Sequence, residues 1–379
     1  MKNINEFLSK NEKAVYDLRA LYEHHGYSKY KMQKFEEYDL YAENKSFLKS
    51  ENVITFTDLS GKLMALKPDV TLSIAKNALW EKEGFQKVYY TENVYRGDKS
   101  AGEYKEIMQL GLEYIGEIDL FVLTEVLTLA AKSLESISGN YVMDISHMGF
   151  VAGLIESVGV REKVKDSLLA SISKKDYGSV MSLCEAEGVS HDKAKKIASL
   201  TRIYGSFDDC REKLFALIEN DKMKLAYYEL AEIFSALSAF PWGEKINVDF
   251  SLINDMNYYN GITCAGFVPG VPCSILSGGR YDNLIEKLGK KSNAIGFAVY
   301  IDLLEIYDRS ENTSDIDYLL VYKDGDNAAD VLAECEKIIE KGFTVRALKN
   351  ADKNTKYKTI LNFKENMSDN IEAGGQKND

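Results

Sequence analysis

The stretch Lys87-Val88-Tyr89-Tyr90-Thr91-Glu92-Asn93-Val94-Tyr95-Arg96 decides the fold. It is dense in β-branched and aromatic residues, which suit a pleated and half-buried surface. It predicts a strand. A polar loop from Gly97 to Gly102 follows, and Ile107 to Ile115 predicts a second strand, so the pair reads as a hairpin with a long loop. Long connections inside compact domains are usually functional or disordered. Gln109 and Glu113 fall four apart on the second strand, and the two-residue period sends both side chains to one face.

On the amino-terminal side, Phe7, Val15, Leu18, Leu21 and Tyr22 recur at helical spacing, with Gly26 as a stop. Val53-Ile54-Thr55-Phe56 and Leu63-Met64-Ala65-Leu66 read as the arms of a hairpin around Asp58-Leu59-Ser60-Gly61-Lys62. Pro68 is expected in the first turn of a helix through Leu72, Ala75 and Leu79. On the carboxyl side, 118–134 reads as helix, and about 150–240 as a helical insertion without proline. Strand signals resume at Lys245 to Phe250, Gly261 to Phe267 and Ser274 to Leu276. Hairpins, helices, then hairpins again give an antiparallel sheet in an α+β fold rather than alternating βαβ units. After a polar break near 310–314, strands at Tyr318 to Tyr322, Phe343 to Arg346 and Thr359 to Leu361 flank a helical stripe. The stripe is Val331, Leu332, Cys335, Ile338 and Ile339. The expected organisation is a core of residues 1–310 and a small α/β domain of 315–379 ending in a frayed polar tail.

Of the 379 residues, 45% are hydrophobic and 28% charged, which excludes global disorder. The net charge of −12 disfavours a basic nucleic-acid binder. No apolar run approaches the roughly 18 residues of a membrane helix, and the start of the chain shows no signal-peptide core, so a cytoplasmic protein is expected. Five scattered cysteines without a C-x-x-C pair read as reduced thiols. The four histidines form no metal-binding motif, so neither a metal nor a cofactor is expected.

Five segments carry chemistry together. They are Lys67-Pro68-Asp69-Val70-Thr71, Val94-Tyr95-Arg96, Gln109-Leu110-Gly111-Leu112-Glu113, Asn257-Tyr258-Tyr259-Asn260-Gly261 and Gly278-Gly279-Arg280-Tyr281-Asp282. Singly, each has a commoner structural use: a helix start, a solvated charge, a polar stripe, a packed aromatic pair, a glycine turn. In this order and spacing they resemble the catalytic core of histidyl-tRNA synthetase, a class II aminoacyl-tRNA synthetase, over roughly residues 10–305.

The resemblance implies a class II antiparallel sheet flanked by helices, and a site for free histidine. Asp69 and Thr71 match the holders of its ammonium, and Arg96 the arginine that meets its carboxylate. Gln109 and Glu113 match the Q-L-G-x-E strand, Tyr258 and Tyr259 the histidine-specific tyrosine pair, and Tyr281 a pocket-lining phenol. The chemistry is consistent: imidazole offers two nitrogens to a carboxylate and a phenol, and a guanidinium suits a carboxylate.

Three cations of that family's ATP site are replaced. Asn254, Leu303 and Glu103 stand at positions where the family places arginines. Positive groups drive adenylate chemistry, and losing one comparable contact costs about 10²–10³ in rate. From Asp315 to Asp379 the chain carries 10 Lys+Arg and 13 Asp+Glu, the wrong sign for RNA. A histidine pocket on a disabled synthetase core resembles the regulatory-subunit family of ATP phosphoribosyltransferase. That resemblance implies no catalysis of its own and no tRNA or membrane partner. It implies a short catalytic subunit as partner in the first step of histidine biosynthesis, and feedback inhibition by histidine. A homodimer within a hetero-octamer is the implied assembly. The alternatives are a histidine–tRNA ligase or another synthetase-like histidine sensor.

Overall fold

A computed structural model of the chain describes residues 8–48, 53–78, 84–98, 102–253, 258–304, 314–351 and 355–364. The chain divides into two compact units, Met1–Ile306 and Tyr307–Asp379.

The first unit opens with α1 (Lys10–His24), started by a capping box in which Ser9 and Glu12 satisfy each other's backbone amides. Next come β1 (Ser28–Lys29), β2 (Phe35–Glu37), α2 (Tyr38–Glu43), β3 (Thr55–Thr57), β4 (Leu63–Leu66) and α3 (Thr71–Asn77). β2, β4 and β3 form a separate antiparallel sheet, as the hairpin reading of this region requires. The long hairpin is β5 (Gln86–Asp98) and β6 (Glu103–Gly116). Both strands run further than expected, so the connection is short; the pairing continues to Asp98 opposite Glu103. After α4 (Leu120–Ile137) come β7 (Val142–His147) and the helices α5 (Met148–Val158), α6 (Glu162–Ser173), α7 (Tyr177–Ala186) and α8 (His191–Ser199). The two-residue β8 (Tyr204–Gly205), α9 (Phe207–Ala216) and α10 (Asp221–Leu237) complete the insertion. β9 (Ile246–Asp249), β10 (Ile262–Phe267), β11 (Leu276–Arg280), α11 (Asp282–Lys287) and β12 (Asn293–Tyr300) close the unit.

The main sheet has nine strands in the order β1-β5-β6-β12-β11-β10-β7-β9-β8. It is antiparallel apart from the pairs β1–β5 and β7–β9. One face packs on α1 and α4: the Tyr22 ring meets Tyr89 and Phe297 at 6.2 and 5.9 Å, and its hydroxyl lies 2.9 Å from Ser133 Oγ. Glu113 neighbours Leu112 in the strand, so its side chain emerges on the opposite face. That face is covered by a second core that includes Tyr41, Leu72, Ile74, Tyr90, Tyr258, Tyr259 and Tyr281.

Two local expectations are corrected. Pro68 precedes α3 by three residues instead of sitting in its first turn; Asp69 takes over the start by accepting from the Leu72 amide at 2.8 Å. Leu79 lies outside the described residues. Gly278 and Gly279 are strand residues of β11 rather than a turn. They lie in the crowded centre of the sheet, where a Cβ on Gly278 would collide with β12.

The second unit is a three-stranded parallel sheet in the order β14-β13-β15, from β13 (Ile316–Val321), β14 (Val345–Leu348) and β15 (Tyr357–Asn362). The helix α12 (Ala328–Glu340) packs Val331 and Ile338 against Tyr318, Leu320 and Leu361.

Candidate functional site

The face of β6 that carries Gln109 and Glu113 continues across the sheet by register. Gln109 lies opposite Tyr300, Gly111 opposite Ala298 and Glu113 opposite Gly296; Ala298 in turn lies opposite Ser277. This row of small residues leaves room above the strands. The start of α3 and the residues just before it bring Thr71 and Asp69 over it, β5 brings Arg96, and the segments at 258–259 and 281 wall it with phenols. All eight residues singled out from the sequence line one narrow cavity: Asp69, Thr71, Arg96, Gln109, Glu113, Tyr258, Tyr259 and Tyr281.

Glu113 is 2% exposed. Its Oε1 accepts from the Thr71 hydroxyl at 2.8 Å and its Oε2 from the Tyr281 hydroxyl at 2.6 Å. Burial pushes its carboxyl up to about 8; the two hydroxyl donors oppose that rise, and nearby Asp69 adds to it. Burial thus favours the protonated acid, and a ligand bearing a cation or a proton donor would favour the ionised form instead. At the other end, the Arg96 guanidinium donates from Nε to the Pro68 carbonyl at 2.9 Å and places NH2 3.8 Å from Asp69 Oδ2. This fixes a cation beside a carboxylate, a pairing that suits the two charged groups of an amino acid. The Tyr258 ring lies 4.6 Å from Tyr259 and 5.7 Å from Tyr281, centroid to centroid. Burial raises all three phenols well above their ordinary values, so they remain neutral hydrogen-bonding groups.

Tyr90, Ser277 and Tyr300 also line the cavity and were not singled out from the sequence. Ser277 Oγ and the Tyr300 hydroxyl lie 2.8 Å apart. The strand period offered a signal for Tyr90, which lies opposite Gly111 between Gln109 and Glu113, but only the β5–β6 register makes that signal readable.

Of the three replaced cations, Glu103 is exposed at the start of β6 and Leu303 is half-buried in a short turn after β12. Beside Leu303, the Asp302 carboxylate accepts from the Met108 amide at 2.7 Å. Asn254 lies outside the described residues. Among the described residues no cluster of three or more His, Cys, Asp or Glu side chains could hold a metal, and no helix is long and apolar enough to cross a membrane.

Comparison with known proteins fits this geometry. Residues 5–304 match the histidyl-tRNA synthetase family. The ATP phosphoribosyltransferase regulatory subunit of Acetivibrio thermocellus is 28% identical over 341 residues, 86% of this chain and 80% of that protein. The solved structure of an ATP phosphoribosyltransferase regulatory subunit/histidyl-tRNA synthetase from Bacillus halodurans C superposes with a TM-score of 0.72. It covers 93% of both chains at 23% identity. A chain of the ATP phosphoribosyl transferase (HisG:HisZ) complex from Thermotoga maritima superposes with a TM-score of 0.60, covering 76% of this chain and 96% of that one at 19% identity. At these identities the two structures establish the shared fold.

Proposed function

The chain belongs to the histidyl-tRNA synthetase family, and within that family we propose that it is a non-catalytic, histidine-binding regulatory subunit of ATP phosphoribosyltransferase. The observation that carries this reading is the contrast between the cavity and the positions expected to meet ATP. The groups suited to free histidine converge in the cavity, from Asp69 and Arg96 at one end to Glu113 and Tyr281 at the other. The positions expected to meet ATP phosphates carry Glu103 and Leu303 instead of arginine. A pocket that binds an amino acid without activating it is useful as a sensor.

The relative in Acetivibrio thermocellus carries the regulatory-subunit name. The likeness to a chain of the Thermotoga maritima complex supports a short catalytic subunit as partner. In this reading the catalytic subunit requires the chain for activity and loses activity when histidine occupies the pocket. The assembly is cytoplasmic and contains homodimers of this chain, in a hetero-octamer, without tRNA. Coupling of about 1–3 kcal/mol between histidine and partner states would suffice for regulation.

The test is reconstitution. The catalytic subunit should gain phosphoribosyltransferase activity when this chain is added and lose it when histidine follows. A catalytic subunit fully active alone would overturn the reading. Histidine-dependent exchange of pyrophosphate into ATP at a synthetase-like rate would favour a histidine–tRNA ligase instead.

A further inference from the structure

The aromatic wall of the histidine cavity is built from two segments with no covalent link between them. Tyr258 and Tyr259 precede β10, whereas Tyr281 connects β11 to α11. Their spacing must nevertheless hold to fractions of an ångström, because the Tyr281 hydroxyl donates to Glu113 and Tyr259 faces the same cavity. The neighbours of these phenols, Asn260 and Asp282, form a reciprocal pair. Asn260 Oδ1 accepts from the Asp282 backbone amide at 3.0 Å, and Asn260 Nδ2 donates to Asp282 Oδ2 at 3.2 Å. The Asn260 amide also donates to the Arg280 carbonyl at 3.1 Å.

The Asp282 carboxylate does more. Oδ2 accepts from Arg280 Nε at 2.7 Å, and Oδ1 accepts from the Ala294 amide at 3.0 Å. Ala294 lies in β12 two residues before Gly296, the partner of Glu113, and its carbonyl accepts from the Tyr281 amide at 2.8 Å. One carboxylate, on the residue after Tyr281, therefore holds the segment bearing Tyr259, the end of β11 and the entrance of the strand beneath Glu113. Hydrogen bonds to charged groups are the stronger ones, and side chains whose own rotamers are locked hold a site to the needed precision. Neither Asn260 nor Asp282 lines the histidine cavity.

We propose that Asn260 and Asp282 are the positioning residues of this pocket, setting the separation of Tyr259 and Tyr281 across Glu113. The proposal rests on the reading of the cavity as a histidine site. Its test is calorimetric histidine titration of the full chain as wild type, Asn260→Ala, Asp282→Ala and the exchanged pair Asn260→Asp/Asp282→Asn. The alanine variants should bind histidine at least tenfold more weakly. The exchanged pair keeps one amide facing one carboxylate but sets the new amide nitrogen at position 282 where Asp282 Oδ2 accepts from Arg280 Nε, so it should regain only part of the loss and bind between the alanine variants and wild type. In a Tyr281→Phe background, Asn260→Ala should cost much less than in wild type, because the hydroxyl it positions is gone. A simple packing role would leave the two losses additive.

Affinities within twofold of wild type in the alanine variants, or additive losses, would overturn the proposal. If wild type itself fails to bind histidine, the reading of the pocket fails, and amide hydrogen exchange then decides the clamp. Protection at 258–262 and 277–281 should fall in both alanine variants and return in part in the exchanged pair; unchanged protection in the alanine variants would overturn it.

Discussion

Glu113 on β6 and Gly296 on β12 are cross-strand partners, and the Glu113 carboxylate occupies the space a Cβ at position 296 would need. The buried acid can lie flat over the sheet, with Thr71 on one oxygen and Tyr281 on the other, only because its neighbour has no side chain. The strand beneath the site thus gives up packing so that one carboxylate can be held in place.

Gly296→Ala should displace that carboxylate. Histidine affinity is expected to fall by tenfold or more, with some loss of stability as well, since the added Cβ would also clash with the Leu112 carbonyl oxygen. Calorimetric titration measures the affinity, and far-ultraviolet circular dichroism checks the fold. Unchanged affinity would mean that Glu113 does not contact the ligand.

The raised carboxyl of Glu113 predicts a pH-dependent stability. Between its usual 4.5 and about 8, the folded chain holds a proton that the unfolded chain releases. Stability therefore falls as pH rises through this window, by about 1.4 kcal/mol per pH unit for one proton, and levels off above the folded value. Glu113→Gln lacks that slope. The Tm of the variant minus that of wild type should grow from about pH 6 to about pH 8 and then flatten. A difference independent of pH would contradict the burial argument.

Tyr281→Phe removes the 2.6 Å donor to Glu113 and leaves the ring packing in place. One such bond contributes about 0.5–1.5 kcal/mol, so histidine should bind roughly 2- to 12-fold more weakly at neutral pH. The plateau of the Glu113 pH window should move upward, because a donor that favours the ionised form is gone. Titrations at several pH values test both effects together.

Asp144 on β7 offers a test away from the pocket. Burial, and then the neighbouring Asp249, push its carboxyl up to about 6, although Asn247 donates to it at 3.3 Å. Its ionised form is therefore the costly one. That cost is absent below the usual 3.8, grows as pH rises, and is complete above about 6. Asp144→Asn can keep an acceptor for Asn247 and should raise Tm by a few degrees near pH 8, with the gain shrinking toward about pH 5. A variant equally destabilised at both values would show that the carboxylate is needed in its ionised form.

Local patterns determined much of this protein before any packing was known. The period of α1, the turn between β3 and β4, and the β-formers of β5 are properties of short windows, so they were readable. The eight pocket residues were legible only as a set, through their resemblance in order and spacing to the histidyl-tRNA synthetase motifs, and they line one cavity. Long-range pairing decided the rest. β12 reads poorly as a strand because its pocket face is Ala294, Gly296 and Ala298, small residues whose value lies in the space they leave over Glu113. β7 was missed as well, a short strand whose partners β9 and β10 lie about a hundred residues further along the chain. Tyr90, Ser277 and Tyr300 joined the cavity through strand register. The unusual proton affinity of Glu113 arises when residues 42 and 168 positions away in the chain close over it. Desolvation depends on everything that surrounds a group in space, and only the tertiary structure brings those surroundings together.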